Sequence, residues 1–159
     1  MNHASDSSPR LFHSSGVQGF SAYASSHPAR VFARKLEREI RVDFTPISRM
    51  VKTPEGTVRA QAGDAIVTGS SGEHWPVSRA RFSGRYRPVP PTLDGEDGRY
   101  MSVPNRVMAV RMKEPFEVVL VDGISRLQGH RGEWLIDYGD GSLGVIAPTI
   151  FAATYKIED

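Results

Sequence analysis

Four side chains able to carry or accept a proton crowd the stretch "HRGEWLIDYGD": His130, Glu133, Asp137 and Asp140. A histidine beside carboxylates is the material of general acid–base chemistry, provided the groups converge on one proton. If residues 134–138 form a strand, Glu133 and Asp137 share a face with Leu135, and Trp134, Ile136 and Tyr138 take the other. That division is also the ordinary pattern of a half-buried strand, and the structural reading is preferred. His130, Glu133 and Asp137 stay as weak catalytic candidates, and the chain leans away from being an enzyme.

A second constellation is cationic. "SRARFSGRYRP" carries Arg79, Arg81, Arg85 and Arg87 around Phe82 and Tyr86. Guanidinium groups beside aromatic faces suit phosphates and exposed bases. Arg30, Arg34 and Arg38 make another stripe at four-residue spacing. Trp75 precedes Pro76, which restricts its segment to an edge or irregular strand, where an exposed indole would serve as a ligand platform or protein contact. These eight residues are the ligand-binding candidates. The competing reading turns Phe82 and Tyr86 into the core and leaves the arginines solvated or paired with acids.

Other chemistries find no support. The histidines at 3, 13, 27, 74 and 130 form no H-x-x-x-H pair, there is no cysteine, and no G-x-S-x-G elbow occurs. No metal and no cofactor is therefore expected. "GDGSLG", residues 139–144, fits the G-x-G-x-x-G spacing of a pyrophosphate loop, but that loop must run from a strand into a helix. Here "WLIDY" precedes it and a second strand-like run, "LGVIAP", follows. Asp140-Gly141 is a favoured tight-turn pair, so the segment reads as a hairpin.

The elements that must position these residues follow from periodicity. Residues 1–28 have no sustained period and read as a flexible tail. In "HPARVFARKLEREI", Phe32, Leu36 and Ile40 recur every four residues, which predicts a helix ending near Glu39. Ile40, Val42 and Phe44 then alternate as a strand. "PVPPTLDGEDGR" has the prolines and DG pairs of a linker. "EVVLV", Glu117 to Val121, reads as a strand covered on both faces.

Two segments align without a gap at an offset of 69 residues, Gly63 to Tyr86 and Gly132 to Tyr155. Gly63 meets Gly132, Gly72 meets Gly141, Phe82 meets Phe151 and Tyr86 meets Tyr155. Each copy reads as turn, strand, Gly-centred hairpin, strand, two-turn helix and exit strand, an internal duplication. The second copy keeps the aromatics and drops the arginines, so the aromatics serve the fold.

The run "AGDAIVTGSSGEHWPVSRARFSGRYRPV" resembles the PGDYG family, small bacterial and phage-associated proteins named for a Pro-Gly-Asp-Tyr-Gly motif. The first copy offers Gly63, Asp64, Gly72, Glu73, Trp75, Pro76, Phe82 and Tyr86; the second offers Gly132, Trp134, Gly141, Phe151 and Tyr155. Ala62 and Arg131 stand in place of the leading proline, and Glu133 in place of the aspartate. The resemblance implies a fold and a bacterial or phage origin, and no function.

These signals predict a β-rich α+β protein with two tandem hairpin-plus-short-helix modules packed together, barrel-like closure being one arrangement open to it. The division is a tail at 1–28, a helix with the first module at 29–90, a linker at 91–103 and a second module at 104–159. Charge is uneven: 29–90 holds twelve Lys or Arg against six Asp or Glu, and 91–159 holds seven against eleven. The halves are expected to attract each other rather than to bind nucleic acid. No membrane-length apolar run and no secretory signal is read, and a cytoplasmic location is expected. The leading functional expectation is a non-catalytic binding or adaptor protein whose partner is another protein or its own copy. A binder of phosphate ligands, nucleotides or nucleic acid through the arginine patch is the alternative, and an enzyme using His130, Glu133 and Asp137 the weaker one.

Overall fold

Residues 30–44, read above as helix then strand, are two strands, and this decides the architecture. The computed structural model describes residues 10–13, 27–120 and 123–158. Along the chain these form β1 (Arg10–His13), β2 (Arg30–Lys35), β3 (Glu39–Phe44), β4 (Arg49–Thr53), β5 (Gly56–Ala60), β6 (Ala65–Thr68) and β7 (His74–Val77). Helix α1 (Arg79–Arg85), β8 (Tyr86–Pro88), β9 (Gly98–Ser102), β10 (Arg106–Arg111), β11 (Phe116–Val119) and β12 (Arg126–Gly129) follow. β13 (Trp134–Asp137), β14 (Leu143–Ile146), helix α2 (Pro148–Thr154) and β15 (Tyr155–Ile157) complete the order. The fold is mostly β rather than α+β, its helices being two seven-residue segments.

The expected N-terminal helix is absent because the chain at β2 is hydrogen-bonded on both sides, to β10 and to β15. A sheet interior uses every backbone donor and acceptor, and that outweighs a four-residue spacing which happens to straddle two strands. Read with period two, Val31 and Ala33 join an apolar cluster with Val107, Ala109, Trp134, Ile136, Phe151 and Tyr155. Phe32 takes the opposite face, with the Arg30 guanidinium 5.4 Å and the Arg106 guanidinium 4.0 Å from its ring.

Two five-stranded sheets dominate, the first ordered β7-β6-β3-β9-β8 and the second β14-β13-β10-β2-β15. They correspond element by element except at the fourth strand. β9 follows β8 in its own half, whereas β2 comes from before β3 and joins the sheet built by residues 106–157. The second sheet thus borrows a strand from the 29–90 segment, and the first takes β9 from within the 91–103 segment. Each sheet is covered on one face by its helix. On the other lie the hairpin β4–β5 against the first and the three-stranded sheet β1-β11-β12 against the second. The sheets stay open at their edge strands, so the barrel-like arrangement is not adopted.

β13 is buried on both faces, with Leu135 in one cluster and Trp134 and Ile136 in the other. It is therefore an interior strand, not a half-buried one. β11 overlaps "EVVLV" from Glu117 to Val119, where Val118 and Val119 are buried; Val121 lies outside the described residues. Arg10–His13, within the segment read as tail, pairs in parallel with β11 and buries Phe12. The rest of that tail, 1–9 and 14–26, lies outside the described residues. No helix among the described residues is long and apolar enough to cross a membrane.

Candidate functional site

The turn before each helix-bearing half shows why its acids are occupied. Gly63 and Gly132 sit at φ +94° and +91°, a left-handed conformation that favours glycine. The next residue folds back in both copies: Asp64 Oδ2 accepts from the Gln61 amide at 2.9 Å, and Glu133 Oε1 from the His130 amide at 2.8 Å. Asp137, at the far end of β13, accepts from the Gly139 amide at 2.9 Å. The catalytic candidates are thus turn-forming groups. His130 meets Glu133 at 3.3 Å but is largely exposed, and a four-residue strand span of about 13 Å keeps Asp137 from joining them. The "GDGSLG" segment joins antiparallel β13 and β14 and is a hairpin turn.

Of the candidate arginines, Arg81 and Arg85 are drawn inward and the others stay exposed. Ser78 starts α1 and Phe82 anchors it, stacking on Tyr86 with ring centroids 5.2 Å apart, as the i,i+4 spacing requires. Phe151 and Tyr155 repeat this after α2. Arg79 lies 4.9 Å above the Phe44 ring and donates to the Gly63 carbonyl. Arg81 and Arg85 cross to the other half: Arg85 Nη2 is 2.7 Å and Arg81 Nε 3.7 Å from the Asp140 carboxylate. Arg87 pairs with Glu37 at 2.7 Å, and Arg34 with Glu158 at 3.4 Å. Arg30 and Arg34 share the Phe32 face of β2, while Arg38 lies beyond the strand, where its amide bonds Ser102 Oγ. The seven arginines do not make one patch.

Arg38, Arg81 and Arg85 line a cavity of about 470 Å³ at the seam between the two five-stranded sheets. That volume falls within the range of small-molecule sites. Trp75 faces it from edge strand β7 and is half-buried, nearer to a covered indole, the reading preferred for it over an exposed one, than to an open docking edge. The Trp75 indole lies close to the Tyr86 phenol and lowers it slightly, against the larger effect of burial. The Lys35 ammonium donates to the Tyr86 hydroxyl at 2.8 Å and lies 4.3 Å from the Tyr86 ring centroid. Burial, then the nearby Arg85 charge, push the Lys35 amine down to about 7. Arg85 rests 4.1 Å from the Tyr138 ring. Burial pushes the Tyr86 and Tyr138 phenols up to about 12 and Tyr155 well above its usual value.

Four acids also line the cavity, and three of them are committed. Glu39 pairs with Arg99, Asp64 holds its turn, and Glu73 accepts from the Ser71 amide. Glu55 is pushed up to about 7 by burial first, then by Glu133 and Glu73. Burial also raises Asp140, but bonds from Ser142 and the Arg85 charge outweigh it and hold that carboxyl below its usual value. No ion pair among the described residues includes Lys35. The Ser78 hydroxyl, also lining the cavity, is buried without a hydrogen-bond partner.

Lys35, Glu55, Ser78 and Tyr138 were not among the residues singled out from the sequence. A signal for Lys35 existed. Read as a strand, residues 31, 33 and 35 put a lysine on the face of Val31 and Ala33. The helical spacing of Phe32, Leu36 and Ile40 concealed it.

No curated protein and no solved structure matches the chain significantly. The PGDYG protein family matches residues 56–156, a span that encloses both aligned segments with their glycine turns, helices and stacked aromatic pairs. On that match, which covers well over half its length, the chain belongs to the PGDYG family.

Proposed function

We propose that this protein binds a small organic anion, a carboxylate or phosphate with a flat apolar body, in the cavity between its two five-stranded sheets. One observation carries the reading: Lys35 ends in that cavity beside Tyr86 with no carboxylate partner among the described ion pairs. A buried cation without a counter-charge is costly, and an anionic ligand would supply the missing charge. The unbonded Ser78 hydroxyl offers a donor, and Trp75, Leu120 and Leu127 offer flat or apolar surface. This reading stands closer to the phosphate-ligand alternative than to nucleic-acid binding, because Arg81 and Arg85 are engaged by Asp140. Calorimetric titration with 4-methylbenzoate and with inorganic phosphate tests it. Saturable binding that Lys35→Met abolishes is expected. Absence of binding by the wild type, or binding indifferent to Lys35→Met, would overturn the proposal.

The protein-contact reading loses Trp75 but has other surface, since Ile47 and Met50 are 65% and 60% exposed beside each other. Sedimentation of Met50→Asp against the wild type separates self-association from a monomer. The matching strand orders and the equivalent turns at Asp64 and Glu133 support descent of the two halves from a tandem duplication. A cysteine-free chain fits a reducing compartment, in keeping with a cytoplasmic protein of bacterial or phage origin.

A further inference from the structure

We infer that Lys35 is a nucleophilic amine that condenses with a carbonyl group of a bound aldehyde or 2-oxo acid to form an imine. The inference rests on the seam cavity being a ligand site and names the class of ligand that site would take. Lys52, Lys113 and Lys156 are exposed, whereas Lys35 is half-buried, held against Tyr86 and open to a cavity rather than packed in the core. An amine becomes a nucleophile when it is neutral. Desolvation together with a neighbouring cation is the arrangement that makes it so at ordinary pH. Here burial and Arg85 supply both, and they bring the amine to about 7.

The groups facing Lys35 are few. Arg85 and Tyr86 approach from the end of α1 and the start of β8, and Tyr155 is its register partner on β15. Tyr138 lies beyond Arg85, and Asp140 acts on Lys35 only through Arg85. In the reaction the Nζ lone pair forms a bond to the carbonyl carbon while the carbonyl oxygen takes a proton from the Tyr86 hydroxyl. The Tyr86 oxygen recovers a proton from the new ammonium, giving a neutral carbinolamine. Loss of that hydroxyl as water, with a second proton passed through Tyr86, leaves the imine. Amine and carbonyl thus give imine and water, and no oxidant or reductant is required. Tyr86 is placed for this relay because its oxygen already touches Nζ at 2.8 Å.

The test uses the full-length protein and 4-formylbenzoate, an anionic aromatic aldehyde, with cyanoborohydride to reduce any imine to a stable secondary amine. Peptide mass spectrometry is expected to find Lys35 labelled at least tenfold faster than Lys52, Lys113 or Lys156. The labelling should rise as pH passes through about 7. Lys35→Arg, which keeps a long basic side chain but no amine able to form an imine, should lose that label alone. Tyr86→Phe should slow the labelling of Lys35 while leaving that of Lys52, Lys113 and Lys156 unchanged. Labelling spread evenly over all four lysines, or an unlabelled Lys35, overturns the imine. If 4-methylbenzoate still binds in that case, the anion site survives and only the chemistry falls. If it does not bind either, both readings fall.

Discussion

Lys35 and Glu55 bring two displaced proton equilibria into one cavity, and each dictates a slope of stability against pH. Folded Lys35 releases its proton near 7, against 10.5 for an ordinary lysine. Between those values the unfolded chain holds a proton that the folded one lacks, so stability rises with pH. Below 7 both states are protonated and the fold carries the whole cost of the desolvated ammonium. Lys35→Met should therefore raise the melting temperature at pH 6 by about 3–8 °C, with the gain vanishing towards pH 10. Glu55 works the other way. Its folded value of about 7 lies above an ordinary 4.5, so the folded chain alone holds the proton between them, and stability falls as pH rises through that window. Glu55→Gln should flatten that limb and stabilise the protein above pH 7. Thermal melts from pH 4 to 10 check both, and coincident wild-type and variant curves would contradict the burial of either group.

At the level of elements, glycines mark where one strand or helix leaves no room and where another does. Gly144 of β14 lies under Tyr138, and a Cβ there would sit 2.7 Å from the phenol oxygen. Gly144→Ala must displace the Tyr138 ring and with it the Arg85 stack, at a cost of about 1–3 kcal/mol. A Cβ added at Gly84 in α1 would meet nothing within 4 Å, and the backbone angles there are those of an ordinary helix. Gly84→Ala should stabilise by roughly 0.5–1 kcal/mol through helix propensity alone. Urea melts of the two variants should move in opposite directions. A destabilised Gly84→Ala would mean that α1 is not a settled helix.

The whole molecule is joined across its seam by Asp140, which takes Arg81 and Arg85 from the opposite half. The Arg85 side chain is only 15% exposed, so removing its counter-charge leaves a guanidinium poorly solvated beside Lys35. Asp140→Asn should cost about 1–3 kcal/mol in denaturant melts, less than a fully buried pair because Asp140 itself is partly exposed. Arg34 with Glu158 and Arg99 with Glu39 also cross between the basic and acidic halves, but these exposed pairs contribute little each. Arg81 and Arg85 thus tie one half to the other through Asp140, and loss of Asp140 with no change in stability would remove that role.

Local chemistry was legible in the sequence wherever neighbours along the chain decide the outcome. The glycine turns at 63 and 132, the hairpin at Asp140-Gly141, the two seven-residue helices and the stacked pairs Phe82–Tyr86 and Phe151–Tyr155 depend on backbone conformation and on i,i+4 spacing. The N-terminal helix failed because β2 is held by β10 and β15, partners about seventy and more than a hundred residues away, and no local period records them. The cavity was invisible on the same grounds. Lys35, Tyr86, Trp75 and Tyr138 come from four separate segments, and only the exchange of β2 into the second sheet brings the lysine to the seam. Turns, helices and aromatic pairs thus follow from the order of residues, since their energies are local. Which charges are spent on one another, and which amine is left without a carboxylate, was settled by folding, because desolvation and ion pairing depend on distances that the chain sets only once folded.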